Sequence, residues 1–260
     1  MYLWKYWRES RIIFGISMLG IAVLGILVFK GVWYIGNNSG RPDPRQIAQF
    51  FIVSLYLQVP VFAFLAWVMG SFGVGRDLGE DSGSYLLTRP RRRYWFLWRD
   101  WGFGLAQLVF AIVLVNLLFG YLIHSLLGAG GSPFSGAIVF GEMSSPLPLS
   151  VVMGLNCLTI VLFAGLIFGV TYFSTITVKH ARGVMLGAGI IFGYLILRAV
   201  VAHYWSVDLP NLRLQAFDFS SVSRDSRGLS NQLGLAVAMR TVVMLLFPAA
   251  AQVVLERAEI

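Results

Sequence analysis

Residues 149–178 read LSVVMGLNCLTIVLFAGLIFGVTYFSTITV, an apolar run without a single Asp, Glu, Lys or Arg. About 20 mostly apolar residues are enough for an α-helix to cross the hydrocarbon core of a bilayer. The composition of the whole chain agrees, because 57% of its 260 residues are hydrophobic and 12% are charged, against about 25% charged residues in soluble domains. We therefore expect an all-α integral membrane protein.

Five further runs are long and apolar enough to span a bilayer, so six transmembrane helices are predicted in total. They cover residues 12–34, 46–74, 96–126, 149–178, 183–204 and 233–255. No polar stretch is long enough to bury a core of its own. Residues 1–260 are thus expected to form one transmembrane domain, with loops at 127–148 and 205–232.

The distribution of basic residues predicts the orientation of these spans. With the N-terminus in the cytoplasm, the inner side holds twelve Lys and Arg residues, the outer side holds five, and three lie within or at the edge of spans. Cytoplasmic loops of membrane proteins carry the excess of positive charge. Both termini are therefore predicted to be cytoplasmic, and the two long loops extracytoplasmic. The net charge of +8 then reflects topology and anionic lipid headgroups rather than nucleic acid.

Groups for catalysis, metal binding or nucleotide binding are sparse. One cysteine, Cys157, excludes an internal disulfide and a cysteine cluster for zinc or iron-sulfur. Ser82 follows an Asp, as in some serine proteases, but none of the three histidines is spaced to act as its base. The phosphate-loop motif G-x-x-x-x-G-K-[ST] does not occur. No cofactor is expected in this chain.

Polar residues within the spans are few. The twelve acids are predicted to lie in loops or at termini, which disfavours an ion-coupled carrier because such carriers usually keep an acid within the membrane. Arg198, inside the fifth span, is expected either to bind anionic substrate groups or an interface, or to extend its side chain to the outer membrane surface. No functional site is assigned to the other polar residues of the spans, because such residues commonly form hydrogen bonds between helices. They are Gln107, Asn116, Asn156, Thr159, Thr171 and Tyr172.

Glycine and proline predict local features of two spans. The fifth span carries four glycines, spaced as two small-xxx-small pairs that allow close helix packing. They are Gly183, Gly187, Gly189 and Gly193. In the second span, Gln58 and Pro60 predict a local loss of backbone hydrogen bonding and hence a kink.

The N-terminal segment is predicted to lie along the membrane surface. In MYLWKYWRESR, residues 1–11, Leu3, Trp4 and Trp7 share one helical face, while Lys5, Arg8 and Glu9 share another. A helix in the plane of the membrane interface needs this division. Trp4, Trp7 and Arg8 are the expected interfacial residues.

The most highly charged segment, residues 75–95, lies between the second and third spans on the predicted cytoplasmic side. A short helix over about 77–88 would place its apolar residues near one face, and Pro90 would end it. The apolar residues are Leu78, Tyr85 and Leu86, and the acids Glu80 and Asp81 lie on other faces. Nearby glycines oppose a rigid helix in isolation. The segment is therefore expected to gain order by docking on a partner, and the alternative is a solvated basic loop.

These features together resemble a known family. W-K-x-W-R-E-S-R at residues 4–11, and G-S-Y-L-L-T-R-P-R-R-R followed by W-R-D-W within residues 76–101, are similar to motifs in the permeases of type-two ATP-binding-cassette (ABC) transporters. The resemblance implies that residues 1–11 form an interfacial helix and that the segment before Pro90 is a coupling helix. The spacing from Gly83 to Pro90 is shorter than in the family, so either Glu80 or Asp81 takes the family's acidic position.

The resemblance also implies partners. A separate cytoplasmic ATPase subunit would bind ATP and magnesium, and a second permease copy or a paralogue would complete the pathway in a bacterial inner membrane. The expected function is export of hydrophobic or amphipathic cargo. Two alternatives remain open: a membrane enzyme or anchor protein that recruits a cytoplasmic partner, and an ion-coupled secondary carrier.

The expected coupling helix generates a first prediction. Tyr85→Ala should weaken binding of the ATPase more than Asp81→Asn, because burying an aromatic anchor at an interface is worth about 2 kcal/mol or more, whereas an exposed ion pair contributes less than about 1 kcal/mol. Affinity of the detergent-solubilised chain for its ATPase measures the effect. Wild-type affinity in both Leu78→Ala and Tyr85→Ala would identify a solvated loop instead.

Overall fold

The described part of the chain is helical throughout. The computed structural model describes residues 7, 11–12, 14–16, 18–23, 25–27, 30–31, 34, 58–72, 93–127, 149–178, 180–205 and 226–257, and no strand occurs among them. Its helices are α1 (Phe14–Leu27), α2 (Gln58–Gly70), α3 (Arg93–Leu127), α4 (Leu149–Thr177), α5 (His180–Trp205) and α6 (Ser226–Arg257).

Four of these helices are long and apolar enough to cross a membrane. The spanning stretches are Trp95–Tyr121, Met153–Thr177, Ala181–Val201 and Val237–Arg257, and α1 and α2 are shorter apolar helices within the described residues. Their outward faces carry large apolar side chains, such as Leu117, Phe192 and Leu235, each about two-thirds exposed. Lipid accommodates such surfaces, and water does not. Within the described residues, the protein therefore has the character of an all-helical membrane protein.

Helix α4 lies at the centre of the bundle. It packs against α3, α5 and α6, and its own side chains, including Ile160, Ala164 and Phe168, are almost fully buried. Buried residues of α2, such as Phe62 and Leu65, join the same hydrophobic core. By contrast, α5 and α6 keep most of their surface outside the bundle. The apolar run that predicts a membrane protein is thus also the helix on which the others assemble.

Glycines of α5 set how closely it approaches α4. A Cβ added at Gly183 of α5 would collide with the Ser174 carbonyl and the Thr175 Cα, and one at Gly187 would lie 3.1 Å from the Thr171 Cα. A Cβ at Gly189 or Gly193 would meet nothing within 4 Å. The first pair of the predicted glycine motif therefore makes the α4–α5 contact, and the second pair faces outward.

Two helices begin within segments that are predicted to lie outside the spans. Helix α6 begins at Ser226, within the region predicted as the loop 205–232, and α3 begins at Arg93, within the predicted coupling segment 75–95. The added residues, RYW at 93–95 and SRGLSNQ at 226–232, are together less apolar than the spans, so hydropathy leaves them outside the spans. A helix can continue beyond its apolar run because its hydrogen bonds join backbone groups.

The α4–α5 contact generates a second prediction. Gly183→Ala should lower the free energy of unfolding by about 1–3 kcal/mol, because the new methyl group overpacks rigid backbone atoms. Gly189→Ala is the matched control on the same helix, and should leave stability unchanged or raise it by up to about 1 kcal/mol, since alanine favours the helix over glycine. Unfolding in mixed detergent micelles measures both. Equal effects of the two substitutions would contradict the close contact at Gly183.

Candidate functional site

Tyr172 of α4 joins two helices through its hydroxyl group. The side chain is 1% exposed, and its hydroxyl donates to the Leu97 carbonyl at 3.2 Å and to an Asp100 carboxylate oxygen at 3.1 Å, both on α3. Its ring stacks on Phe168 with an interplanar angle of 20°. One proton is therefore shared between two acceptors of α3, inside the bundle where water cannot replace it.

The end of α2 reaches the same part of α4. A Cβ on Gly70 would lie 2.7 Å from the Phe168 carbonyl oxygen and 3.3 Å from the Tyr172 nitrogen, so the two backbones are in close contact. Just beyond, Ser71 donates its backbone NH and its hydroxyl to the Val68 carbonyl, at 3.0 Å and 2.6 Å. The end of α2 and the start of α3, which flank residues 73–92, thus meet α4 within about one turn of Tyr172.

Asp100 corrects the prediction that every acid lies in a loop or at a terminus. It lies in the second turn of α3, within the spanning stretch Trp95–Tyr121, and its side chain is 1% exposed. The hydroxyl of Tyr172 stabilises this buried carboxylate by hydrogen bonding. Sequence reasoning missed Asp100 because its partner is on another helix. The available signal was an acid between two tryptophans, W-R-D-W.

A second polar link joins α3 and α6 near the same end of the bundle. The Trp98 indole NH donates to Gln252 Oε1 at 3.0 Å, and Gln252 Nε2 donates to Glu256 at 2.8 Å. Beside them, the Arg99 guanidinium lies 4.7 Å from the ring centroid of Trp95, a distance typical of a cation–π contact. The polar contacts at this end therefore involve α3, α4 and α6.

Most residues predicted as sites fall outside the described part of the chain. These are the coupling residues Leu78, Glu80, Asp81, Tyr85 and Leu86, and the interfacial residues Trp4 and Arg8. Trp7 is described: it is helical, 37% exposed, and its ring centroid lies 6.2 Å from that of Phe14. Arg198 lies on α5 with a half-buried side chain.

Five of the six polar residues predicted within the spans make hydrogen bonds of two kinds. Thr159 and Thr171 donate to carbonyls of their own helix, at Leu155 and Ile167, as hydroxyls in membrane helices commonly do. Asn156 instead donates to Asn116 Oδ1 at 3.0 Å, which joins α4 to α3. Asn156 and Tyr172 thus both make hydrogen bonds from α4 to α3. They are 16 residues apart along α4, near opposite ends of this helix pair.

The side-chain amide of Gln58 is buried in α2. Gln58 of α2 is 5% exposed, and neither Nε2 nor Oε1 has a hydrogen-bond partner among the described residues. Within the same residues, no group of three or more His, Cys, Asp or Glu could hold a metal ion.

The kink predicted at Gln58 and Pro60 involves residues before 58, which lie outside the described ranges.

Comparisons with protein-family models, with curated proteins and with solved structures found no significant match to this chain.

The Tyr172 contact generates a third prediction. Tyr172→Phe should lower the free energy of unfolding by about 1–3 kcal/mol, because it removes a buried hydrogen bond from the Tyr172 hydroxyl to the Asp100 carboxylate. Tyr121→Phe makes the same chemical change at a side chain that is 72% exposed and should change stability by less than about 0.5 kcal/mol. The free energy of unfolding in detergent is measured for both variants. An effect of Tyr172→Phe as small as that of Tyr121→Phe would exclude a structural role for the Tyr172 hydroxyl.

Proposed function

We propose that this chain is the transmembrane subunit of an ABC transporter, driven by a separate cytoplasmic ATPase and exporting hydrophobic or amphipathic cargo. In this proposal the chain has six spans with both termini in the cytoplasm of a bacterium, and it pairs with a second copy or a paralogue in the inner membrane. ATP and magnesium bind to the ATPase alone. The sequence resemblance at residues 4–11 and 76–101 is the starting point.

The observation that carries the proposal is the convergence of α2 and α3 on α4. Residues 73–92 connect Phe72 to Arg93, and the two helices that they connect both contact α4 at Phe168–Tyr172. A partner that pulls on residues 73–92 would therefore move the end of α2, the start of α3 and α4 together. A solvated loop that only recruits a partner would need no such junction.

The movement of α4 would pass to the rest of the bundle. Because α5 and α6 pack mainly on α4, a tilt of α4 would carry both helices with it. The energy would come from the ATPase, since ATP shifts the equilibrium only by binding more tightly to its closed state. In this scheme Leu78 and Tyr85 are the apolar anchors on the ATPase, and Glu80 or Asp81 pairs with basic residues of the ATPase.

Copurification tests the proposal first. The chain should purify from its native membranes with a subunit that carries a phosphate-loop motif, and reconstitution with that subunit should give ATP-dependent movement of cargo across vesicles. Purification without any ATPase would argue for the anchor or enzyme alternative. Transport that follows an ion gradient and ignores ATP would identify a secondary carrier.

The junction at α4 generates a fourth prediction. Tyr172→Phe should bind the ATPase with unchanged affinity, because the substitution leaves residues 77–88 unaltered, but stimulation of ATP hydrolysis by the chain should fall about fivefold. That factor corresponds to losing about 1 kcal/mol from one state of a two-state equilibrium. Tyr121→Phe is the control and should stimulate hydrolysis normally. If Tyr172→Phe stimulates ATP hydrolysis normally but is less stable, the hydroxyl contributes to folding and not to coupling.

A further inference from the structure

A tryptophan and an arginine lie together where α3 enters the membrane. Trp95 is the first residue of the spanning stretch Trp95–Tyr121, and Arg99 follows one turn later, about 6 Å along the helix axis at 1.5 Å per residue. The Arg99 guanidinium lies 4.7 Å from the Trp95 ring centroid. Tryptophan is enriched at the level of the lipid headgroups, and an arginine one turn deeper can extend its side chain to that level.

The charge of Arg99 is not balanced by an acid of the described chain. Among the described residues its guanidinium contacts the Trp95 ring and forms no salt bridge. The neighbouring acid, Asp100, is turned into the bundle, where its 1% exposed side chain accepts a hydrogen bond from Tyr172. Arg99 is only half-buried. A charged side chain within a span commonly pairs with an opposite charge, so the counter-charge of Arg99 is expected from outside the described bundle.

Trp95 and Arg99 lie at one end of an exposed apolar stripe on α3. Phe110, Leu117 and Tyr121 are all exposed. At 3.6 residues per turn, these three residues fall within about 80° of Trp95 and Arg99 around the helix axis. A membrane covers such a stripe with acyl chains. The molecule that covers it therefore has hydrocarbon along the helix and its polar group at the level of Trp95 and Arg99.

We propose that Trp95 and Arg99 bind the headgroup of an anionic phospholipid whose acyl chains lie along the α3 stripe. The guanidinium of Arg99 would donate two parallel hydrogen bonds to the phosphate, a geometry that arginine favours. An acidic lipid is preferred over a zwitterionic one because basic residues at a membrane surface attract anionic headgroups. Four further arginines precede or begin α3 and add to this attraction: Arg89, Arg91, Arg92 and Arg93.

Native mass spectrometry of the full chain, released from micelles with increasing amounts of phosphatidylglycerol, tests the proposal. The fraction of chain that carries lipid gives the Kd for the first phosphatidylglycerol molecule. Arg99→Gln should weaken this binding about 10-fold or more, as expected for the loss of a charge-assisted hydrogen bond. Phosphatidylcholine with the same acyl chains should bind about fivefold more weakly than phosphatidylglycerol to the wild-type chain.

Arg182→Gln is the matched control. It removes the same charge from an exposed side chain near the start of α5. The next residue, Gly183, lies against Ser174 of α4, two residues from Tyr172, so Arg182 belongs to the same end of the bundle as Arg99. The control should bind phosphatidylglycerol like the wild type, because the proposed site does not include Arg182.

Two further variants separate the contributions of the ring and of the guanidinium. Trp95→Leu keeps an apolar side chain but removes the aromatic face that holds the guanidinium, so affinity should fall about threefold. Arg99→Lys keeps the charge but loses the planar fork, and should weaken binding about threefold. If Arg99→Gln does not fold, Arg99→Lys takes its place in the comparison with Arg182→Gln.

Three results would overturn the proposal. Equal affinities of Arg99→Gln and Arg182→Gln would show that lipid responds only to overall charge or not to Arg99 at all. Equal affinities for phosphatidylglycerol and phosphatidylcholine would show that the hydrocarbon alone is bound. Dimers of the chain that carry no lipid would show that a second copy covers the stripe. The measurement contains no ATPase, so its outcome is independent of the proposed transporter function.

Discussion

The hydrogen bond from Tyr172 to Asp100 is the interaction on which the arrangement of the bundle depends. It satisfies a carboxylate within a helix that is apolar enough to span a membrane, where an unpaired charge would be expelled or neutralised. The same hydroxyl reaches the Leu97 carbonyl, and Gly70 brings the backbone of α2 against Phe168 nearby. The geometry of this junction therefore fixes α2 and α3 on α4.

Helix α4 serves as the scaffold for the other helices because small residues allow close approach. Gly183 of α5 lies against the α4 backbone, and Gly169 of α4 accommodates the Phe247 ring of α6. In lipid, helix association depends on such packing rather than on exclusion of water. This explains how α5 and α6 stay attached through narrow contacts while most of their surface faces outward.

The sequence predicted the helical membrane fold, because the apolar runs alone determine it, and the cores of α3 to α6 lie within the predicted spans. It did not predict Asp100, whose burial depends on Tyr172 on another helix. It also could not separate Gly183 from Gly189, since both fit one spacing pattern and only packing distinguishes them. The coupling residues 77–88 remain predictions from sequence.

A double-mutant cycle between Tyr172→Phe and Asp100→Asn, followed by detergent unfolding, tests the central claim most directly. If the hydroxyl and the carboxylate stabilise each other inside the bundle, the two substitutions should be non-additive, with a coupling free energy of at least about 1 kcal/mol. The same cycle between Tyr172→Phe and Asn116→Ala, at the distant polar contact between α3 and α4, should be additive within about 0.5 kcal/mol. Additivity in the first cycle would contradict the account, because α3 and α4 would then be joined at this end without the Tyr172–Asp100 bond.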